Sequence, residues 1–179
     1  MELQEALEKR FSCRAYLPQE PDREAILAVL EAGRLAPTAC NNQSQRVYVA
    51  RGQEALDKID ACTRCRYGAP VCLIVGYSTQ DAAVHSAERF GGDEFSFGDQ
   101  DAVSVLVHMV LKAADLGLNT CWLGAIDDGK LHELFDIPQD VAIRAVLDLG
   151  YASPYGVPSP KHADRKPLEE TVTWLSSNV

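Results

Sequence analysis

Residues 101–117 read DAVSVLVHMVLKAADLG. Asp101 stands at the start of this stretch. Val105, Met109, Leu111, Ala113 and Leu116 follow at helical spacing, and Gly117 supplies a stop, because glycine closes a helix in the left-handed conformation without a steric penalty. The apolar positions cover more than one face, which predicts the longest helix of the chain and a largely buried one. Upstream, Val71–Tyr77 (VCLIVGY) is a continuous apolar, β-rich run. Such a run, unlike an alternating one, predicts a central strand buried on both faces.

Outward from this pair, Leu3, Ala6 and Leu7 give residues 2–10 a helical spacing. Pro18 and Pro21 break the chain. Asp22 is placed to N-cap a helix whose stripe is Ile26, Leu27, Val29, Leu30 and Ala36, ending at Pro37. Residues 47–50 read as a short strand, 54–61 as a helix, 89–100 as a Gly- and Asp-rich loop, 130–135 as a helix and 141–151 as a strand. From Ser153 onward, Pro154, Pro158, Pro160 and Pro167 predict an extended arm, about 153–179, on a single domain spanning 1–179. Helices and strands alternate with irregular connections, which is compatible with α/β or α+β.

The chain has 179 residues, one domain by length, with 17 Lys and Arg against 26 Asp and Glu and a net charge of −9. A field of that sign repels nucleic acid and anionic membranes, so neither is an expected partner. The apolar share of 46% is that of a globular chain, and runs such as 71–75 are far too short to cross a bilayer. The start, MELQEALEKR, lacks the apolar core of a signal peptide, and a cytoplasmic location is expected. The six cysteines are read mostly as reduced thiols, with Cys72 and Cys121 as small core residues.

Two basic clusters stand out against the acidic background: Lys9, Arg10 and Arg14 near one end, and Lys161, Arg165 and Lys166, with Asp164 among them, near the other. Arginine offers a planar fork of donors suited to phosphate, although a solvated face would also account for either cluster. A shared anion requires the two ends to meet. In an extended Arg10-Phe11-Ser12-Cys13-Arg14, residues 10, 12 and 14 point to one side and line a surface with two guanidinium groups and a hydroxyl. A second constellation, Pro37-Thr38-Ala39-Cys40-Asn41-Asn42-Gln43, clusters donors and acceptors that suit a heteroaromatic ligand or simply form a turn. In the third, 116–125, Gly124 permits close approach to a flat ligand; Trp122 is a candidate stacking residue, with a buried core position the stronger expectation.

Taken together, RFSCRAY at 10–16, APTACNNQ at 36–43, DAVSVLVHMVLKAADLGLNTCWLGA at 101–125 and SPKHADRKPLEE at 159–170 resemble, in order and spacing, the nitroreductase family of flavoprotein oxidoreductases. The resemblance covers nearly the whole chain and is strongest to short, stand-alone bacterial members. It implies an α+β fold with a central sheet flanked by helices, an intertwined homodimer, and one FMN per site at the dimer interface. It implies that Arg10, Ser12 and Arg14 contact FMN, Arg14 near the pyrimidine edge, and that Arg165, with Lys166 beside it, binds the phosphate. Pro37, Thr38, Ala39 and Asn41 match the stretch supplied by the second subunit, and Leu123 and Gly124 the backbone beside the flavin ring. The implied activity is hydride transfer from NAD(P)H, a transient co-substrate, through the flavin to a nitroaromatic, quinone or other conjugated acceptor. No side-chain nucleophile and no metal is implied. Ser44-Gln45 stands where many members carry Pro-Trp, which bears on substrate preference.

Two motifs point elsewhere. RFGGDEF at 89–95 resembles the signature of diguanylate cyclases, but no Asn-Asp-x-x-Gly-His motif and no early Asp-rich strand accompany it. Cys62-Thr63-Arg64-Cys65 has the spacing of a redox pair or half a zinc site, yet no second C-x-x-C or paired His is present; His85, His108, His132 and His162 are scattered. The expectation for His108 is a hydrogen-bonded core histidine within the apolar helix. A non-enzymatic flavin-binding module is the remaining alternative to an enzyme.

Overall fold

The structure, a computed structural model, describes residues 2–175. In chain order its elements are α1 (Leu3–Lys9), α2 (Arg23–Arg34), a 3-10 turn (Ala39–Asn41), β1 (Gln45–Arg51), α3 (Gln53–Cys62), β2 (Val71–Ser78), β3 (Val84–His85), α4 (Ala87–Phe90), β4 (Phe95–Ser96), α5 (Gly98–Asp115), β5 (Asn119–Leu123), α6 (Asp128–Leu134), β6 (Val141–Gly150), a second 3-10 turn (Pro160–His162) and α7 (Leu168–Thr171). The main sheet has the order β1-β2-β6-β5. All of its pairings are antiparallel, so the fold is α+β.

Alternation along the strands divides the core in two. Val71, Leu73 and Val75 of β2 join Ala145, Leu147 and Leu149 of β6 against Ile26 and Val29 of α2 and Val105, Leu106, Met109 and Ala113 of α5. Cys72, Ile74 and Val146 face the opposite way, toward Leu56 and Ile59 of α3 and Leu131 of α6. With helices on both faces, every residue of β2 is buried, as the uninterrupted apolar run predicts, although the sheet is antiparallel rather than the parallel type in which such runs are commonest. Between Val75 and Gly76 the pairing with β6 slips by one residue. A Cβ on Gly76 would meet the carbonyl of Ala142, so the bulge needs glycine.

The Asp22 carboxylate accepts the Ala25 N–H at 2.7 Å and caps α2 as expected. Helix α5 starts at Gly98, three residues before the expected Asp101, and Gly98 packs directly on the Tyr77 ring, where any side chain would collide. Its burial is one-sided: Val103, Val107 and Leu116 remain 46%, 43% and 39% exposed. The apolar residues on the second face have no cover within this chain. His108 Nδ1 donates to the Ser104 carbonyl at 2.8 Å, as expected, but the residue is half-buried at the edge of the core rather than within it.

The segment 89–100 is not wholly a loop. Residues 84–96 form a two-stranded hairpin, β3 with β4, turning through Gly91 and Gly92, both at positive φ. Residues 153–175 run along the outside, with two short turns and exposed Tyr155, Val157, Leu168, Trp174 and Leu175. The last part of the arm expected over 153–179, residues 176–179, lies outside the described residues. No helix among the described residues is long and apolar enough to cross a membrane.

Candidate functional site

Helix α1 stops at Arg10, whose extended backbone leads into a stretch tied to the edge strand β5. Ser12 forms a parallel bridge with Thr120, and the Cys13 N–H donates to the Thr120 carbonyl at 2.9 Å. Cys13 is thereby buried and the residues on either side of it turn outward. The C-terminal segment returns over this stretch: His162 Nε2 donates to the Glu8 carbonyl at 3.3 Å, and the His162 and Phe11 rings meet edge to face at 6.4 Å.

The two ends of the chain therefore meet. A cavity of about 290 Å³ is lined by Arg10, Phe11, Ser12, Arg14, Ser159, Lys161, His162 and Arg165. Among the described residues, Arg10, Arg14, Lys161 and Arg165 have no carboxylate partner within ion-pair distance. Arg165 reaches only backbone carbonyls, that of Asp164 at 2.8 Å being the shortest contact. Four cations gathered without a counter-charge repel one another, so an anion between them lowers the energy of the group. Lys166 is not among them; it precedes α7, and its ammonium group lies 3.6 Å from the carboxylate of Glu170 in that helix.

A second cavity of about 260 Å³ shares Arg10 and Ser12 with the first and continues over Leu7, Val107, Val110, Leu111, Thr120 and Trp122. Its walls are largely apolar. Trp122 is 40% exposed, not the buried core residue expected of it. Alternation on β5 sends Cys121 and Leu123 to the α3–α6 side and Trp122 to the side where only α1 and α5 give partial cover. The sequence reading favours a core position for Trp122, counts Lys161 in a basic cluster without giving it a role of its own, and does not select Val107, Leu111, Thr120 or His162 for a site. The signal that could have found Trp122 is period-2 alternation: beside a buried Cys121 on a strand, the next side chain faces the other way.

The remaining candidates lie apart from both cavities. Leu123 is buried in the α3–α6 core, and Gly124 follows it into open space, where an added Cβ would meet nothing within 4 Å. Pro37, Thr38, Ala39 and Asn41 form a loop between α2 and β1 that lines neither cavity of this chain. That loop carries three non-glycine residues at positive φ: Cys40 at 54°, Asn41 at 55° and Gln43 at 52°.

In the RFGGDEF hairpin, Asp93 and Glu94 point to solvent, while the His85 ring stacks between those of Phe90 and Phe95 at 5.5 and 4.8 Å. Among the described residues no group of three or more His, Cys, Asp or Glu side chains is arranged to hold a metal ion. Cys62 and Cys65 are free thiols, Cys62 donating to the Lys58 carbonyl at 3.2 Å. Beneath the sheet, Asp148 is fully buried between its cross-strand neighbours Cys72 and Cys121. Burial pushes its carboxyl up to about 8, and the Cys72 thiol donates to it at 3.4 Å.

These features define an α+β protein with a cationic cleft that opens onto an apolar shelf. The model described as Nitroreductase family matches residues 7–67 and 66–151, and the chain belongs to the nitroreductase family. A nitroreductase family protein from Clostridium difficile 630 is 29% identical and superposes with a TM-score of 0.87 over 98% of this chain and 99% of its own. A Desulfovibrio desulfuricans protein solved in complex with FMN is 27% identical, with a TM-score of 0.78 over 96% of this chain and 95% of its own. A Methanothermobacter thermautotrophicus protein, provisionally named NADH dehydrogenase/NAD(P)H nitroreductase, is 31% identical over 160 residues, 84% of this chain and 78% of its own.

Proposed function

We propose that this chain is an FMN-dependent oxidoreductase that works as a homodimer, drawing a hydride from NAD(P)H and delivering it to a conjugated acceptor such as a nitroaromatic or a quinone. The observation that carries the reading is the junction of the two cavities. One end gathers four unpaired cations and the other is a flat apolar shelf. A mononucleotide with an anionic tail and a planar ring has that same division, so the residues present fit FMN.

On this reading Arg10 and Arg165, with Lys161, bind the phosphate through charge-assisted hydrogen bonds. Lys166, engaged with Glu170, is left out of that contact. Ser12 and Arg14 meet the polar edge of the ring, where a guanidinium stabilises developing negative charge. Trp122, Val107 and Leu111 support the apolar part, and the backbone at Leu123 and Gly124 runs close by. Pro37, Thr38, Ala39 and Asn41 of the partner subunit complete the site. Bound FMN supplies the two-electron chemistry that no side chain here provides.

The test is flavin retention. Arg165→Ala removes one charged donor set, and a hydrogen bond to a charged group contributes about 1.5–3 kcal/mol, so FMN affinity should fall about tenfold or more. An unchanged dissociation constant would refute the phosphate assignment. Steady-state NADH and NADPH oxidation with a quinone should proceed in the wild-type holoprotein; a flavin-loaded protein that oxidises neither would instead be a binding module.

A further inference from the structure

Asp101 is 4% exposed and has no cationic partner among the described residues. Its carboxylate reaches across to a segment about sixty residues away. Oδ1 accepts the Ala39 N–H at 2.8 Å, and Oδ2 accepts the Ser44 hydroxyl at 3.1 Å. These two contacts grip the 38–44 loop at its beginning and its end. Between them lie Cys40, Asn41 and Gln43, all held at positive φ, a conformation that persists in non-glycine residues only where the surroundings enforce it.

The other braces on this loop are local or one-ended. Thr38 Oγ1 accepts the Gln43 N–H at 3.0 Å, and the Asn42 amide donates to the Asp81 carbonyl at 3.0 Å. Ser44 is itself fully buried, and its carbonyl accepts the Ser78 N–H at 2.8 Å, anchoring the end of the loop to the tip of β2. Among the described side chains outside the loop, Asp101 alone contacts both its beginning and its end. It also sits in the first turn of α5, where the helix dipole favours a carboxylate. Meanwhile Cys40, Asn41, Asn42 and Gln43 are presented to solvent.

We infer that Asp101 is a positioning residue: it clamps the strained 38–44 loop in the shape that lets Thr38, Ala39 and Asn41 complete the flavin site of the partner subunit. This inference rests on the function proposed above. The clamp needs two acceptors, or one acceptor and one donor. Asparagine still satisfies it, because its carbonyl accepts from Ala39 while its amide donates to a Ser44 hydroxyl turned to accept. Alanine removes both contacts.

The test compares wild type, Asp101→Ala, Asp101→Asn and Ser44→Ala by FMN titration, flavin absorption spectrum and reduction potential, with circular dichroism and light scattering on each. Asp101→Ala is expected to bind FMN about tenfold or more weakly, with a shifted spectrum and potential while the fold and assembly persist. Asp101→Asn should stay within about threefold of wild type, and Ser44→Ala should fall between them. Wild-type affinity, spectrum and potential in Asp101→Ala would overturn the inference. Should that variant fail to fold, an unchanged FMN affinity in Ser44→Ala overturns it instead. A wild-type protein that takes up no FMN defeats the functional reading itself, whereas a wild type that binds FMN alongside variants that bind it equally well defeats only the clamp.

Discussion

Asp148 is the most perturbed carboxyl of the molecule and lies outside the proposed chemistry. It is buried near the C-terminal end of β6, its Oδ2 has no hydrogen-bond partner in the structure, and around it are the thiols of Cys13, Cys72 and Cys121, the Tyr16 phenol and the more distant Arg66–Asp60 ion pair. Desolvation by these apolar and thiol neighbours raises its pKa to about 8, against about 3.9 in an unfolded chain. Below about pH 4 both states carry the proton, and the full stability is present. Between about 4 and 8 the native state keeps a proton that the unfolded state has released, so stability falls as pH rises, and it levels off above 8. Asp148→Asn keeps the shape and cannot ionise. Its melting temperature relative to wild type should therefore climb between pH 5 and pH 8.5. A difference that stays constant across that range would mean that Asp148 is ionised throughout.

At the scale of elements, the sequence is most informative where one physical pattern dominates. The VCLIVGY run and the α5 stripe each sit under two covering layers or against a large core, so apolar content alone marks them. Strand β5 was not legible as a strand, because five residues with one tryptophan facing out give too short a pattern to separate from a loop. The 84–96 hairpin was missed for the same reason, its strands being two residues each. In the site, alternation placed Arg10, Ser12 and Arg14 together, whereas their meeting with Arg165 depends on the non-local His162–Glu8 contact, which no local pattern encodes. Lys166 lies outside the four-cation group, beside the Glu170 carboxylate at 3.6 Å. The bulge in β2 yields a prediction of its own. Gly76→Ala forces a Cβ against the Ala142 carbonyl, where backbone and not a movable side chain must yield, and should cost about 1–3 kcal/mol. Gly124→Ala, which meets nothing, should leave thermal stability within about 0.5 kcal/mol of wild type. Equal melting temperatures for the two variants would show that the sheet accommodates a side chain at the bulge.

For the whole molecule, the question is what covers the apolar surface that the chain leaves bare. Val103 and Val107 on α5, Leu3 and Leu7 on α1, and Trp122 on the neighbouring strand are all at least two-fifths exposed, as are Leu168, Trp174 and Leu175 on the arm. Leu7, Val107 and Trp122 share one cavity wall, and exposed apolar surface gathered in this way marks an interaction site. A second copy of the chain accounts for it with no further partner: it would bury α5 and bring a 38–44 loop, remote from the cleft of its own chain, to the cleft of the other. Assembly and flavin binding are then one event, and a substitution that separates the copies must release the cofactor even though it touches no flavin-binding side chain. Val103 suits this test because it is exposed on α5 and does not line the apolar shelf. Val103→Glu places a charge on the interface face, costs several kcal/mol if the contact is dry, and leaves the monomer core untouched. Light scattering should report twice the chain mass for wild type and the single mass for Val103→Glu, with FMN affinity falling about tenfold or more in the variant. A wild-type monomer that retains its flavin, or a monomeric variant that binds FMN as tightly as wild type, would show that one chain alone builds the complete site.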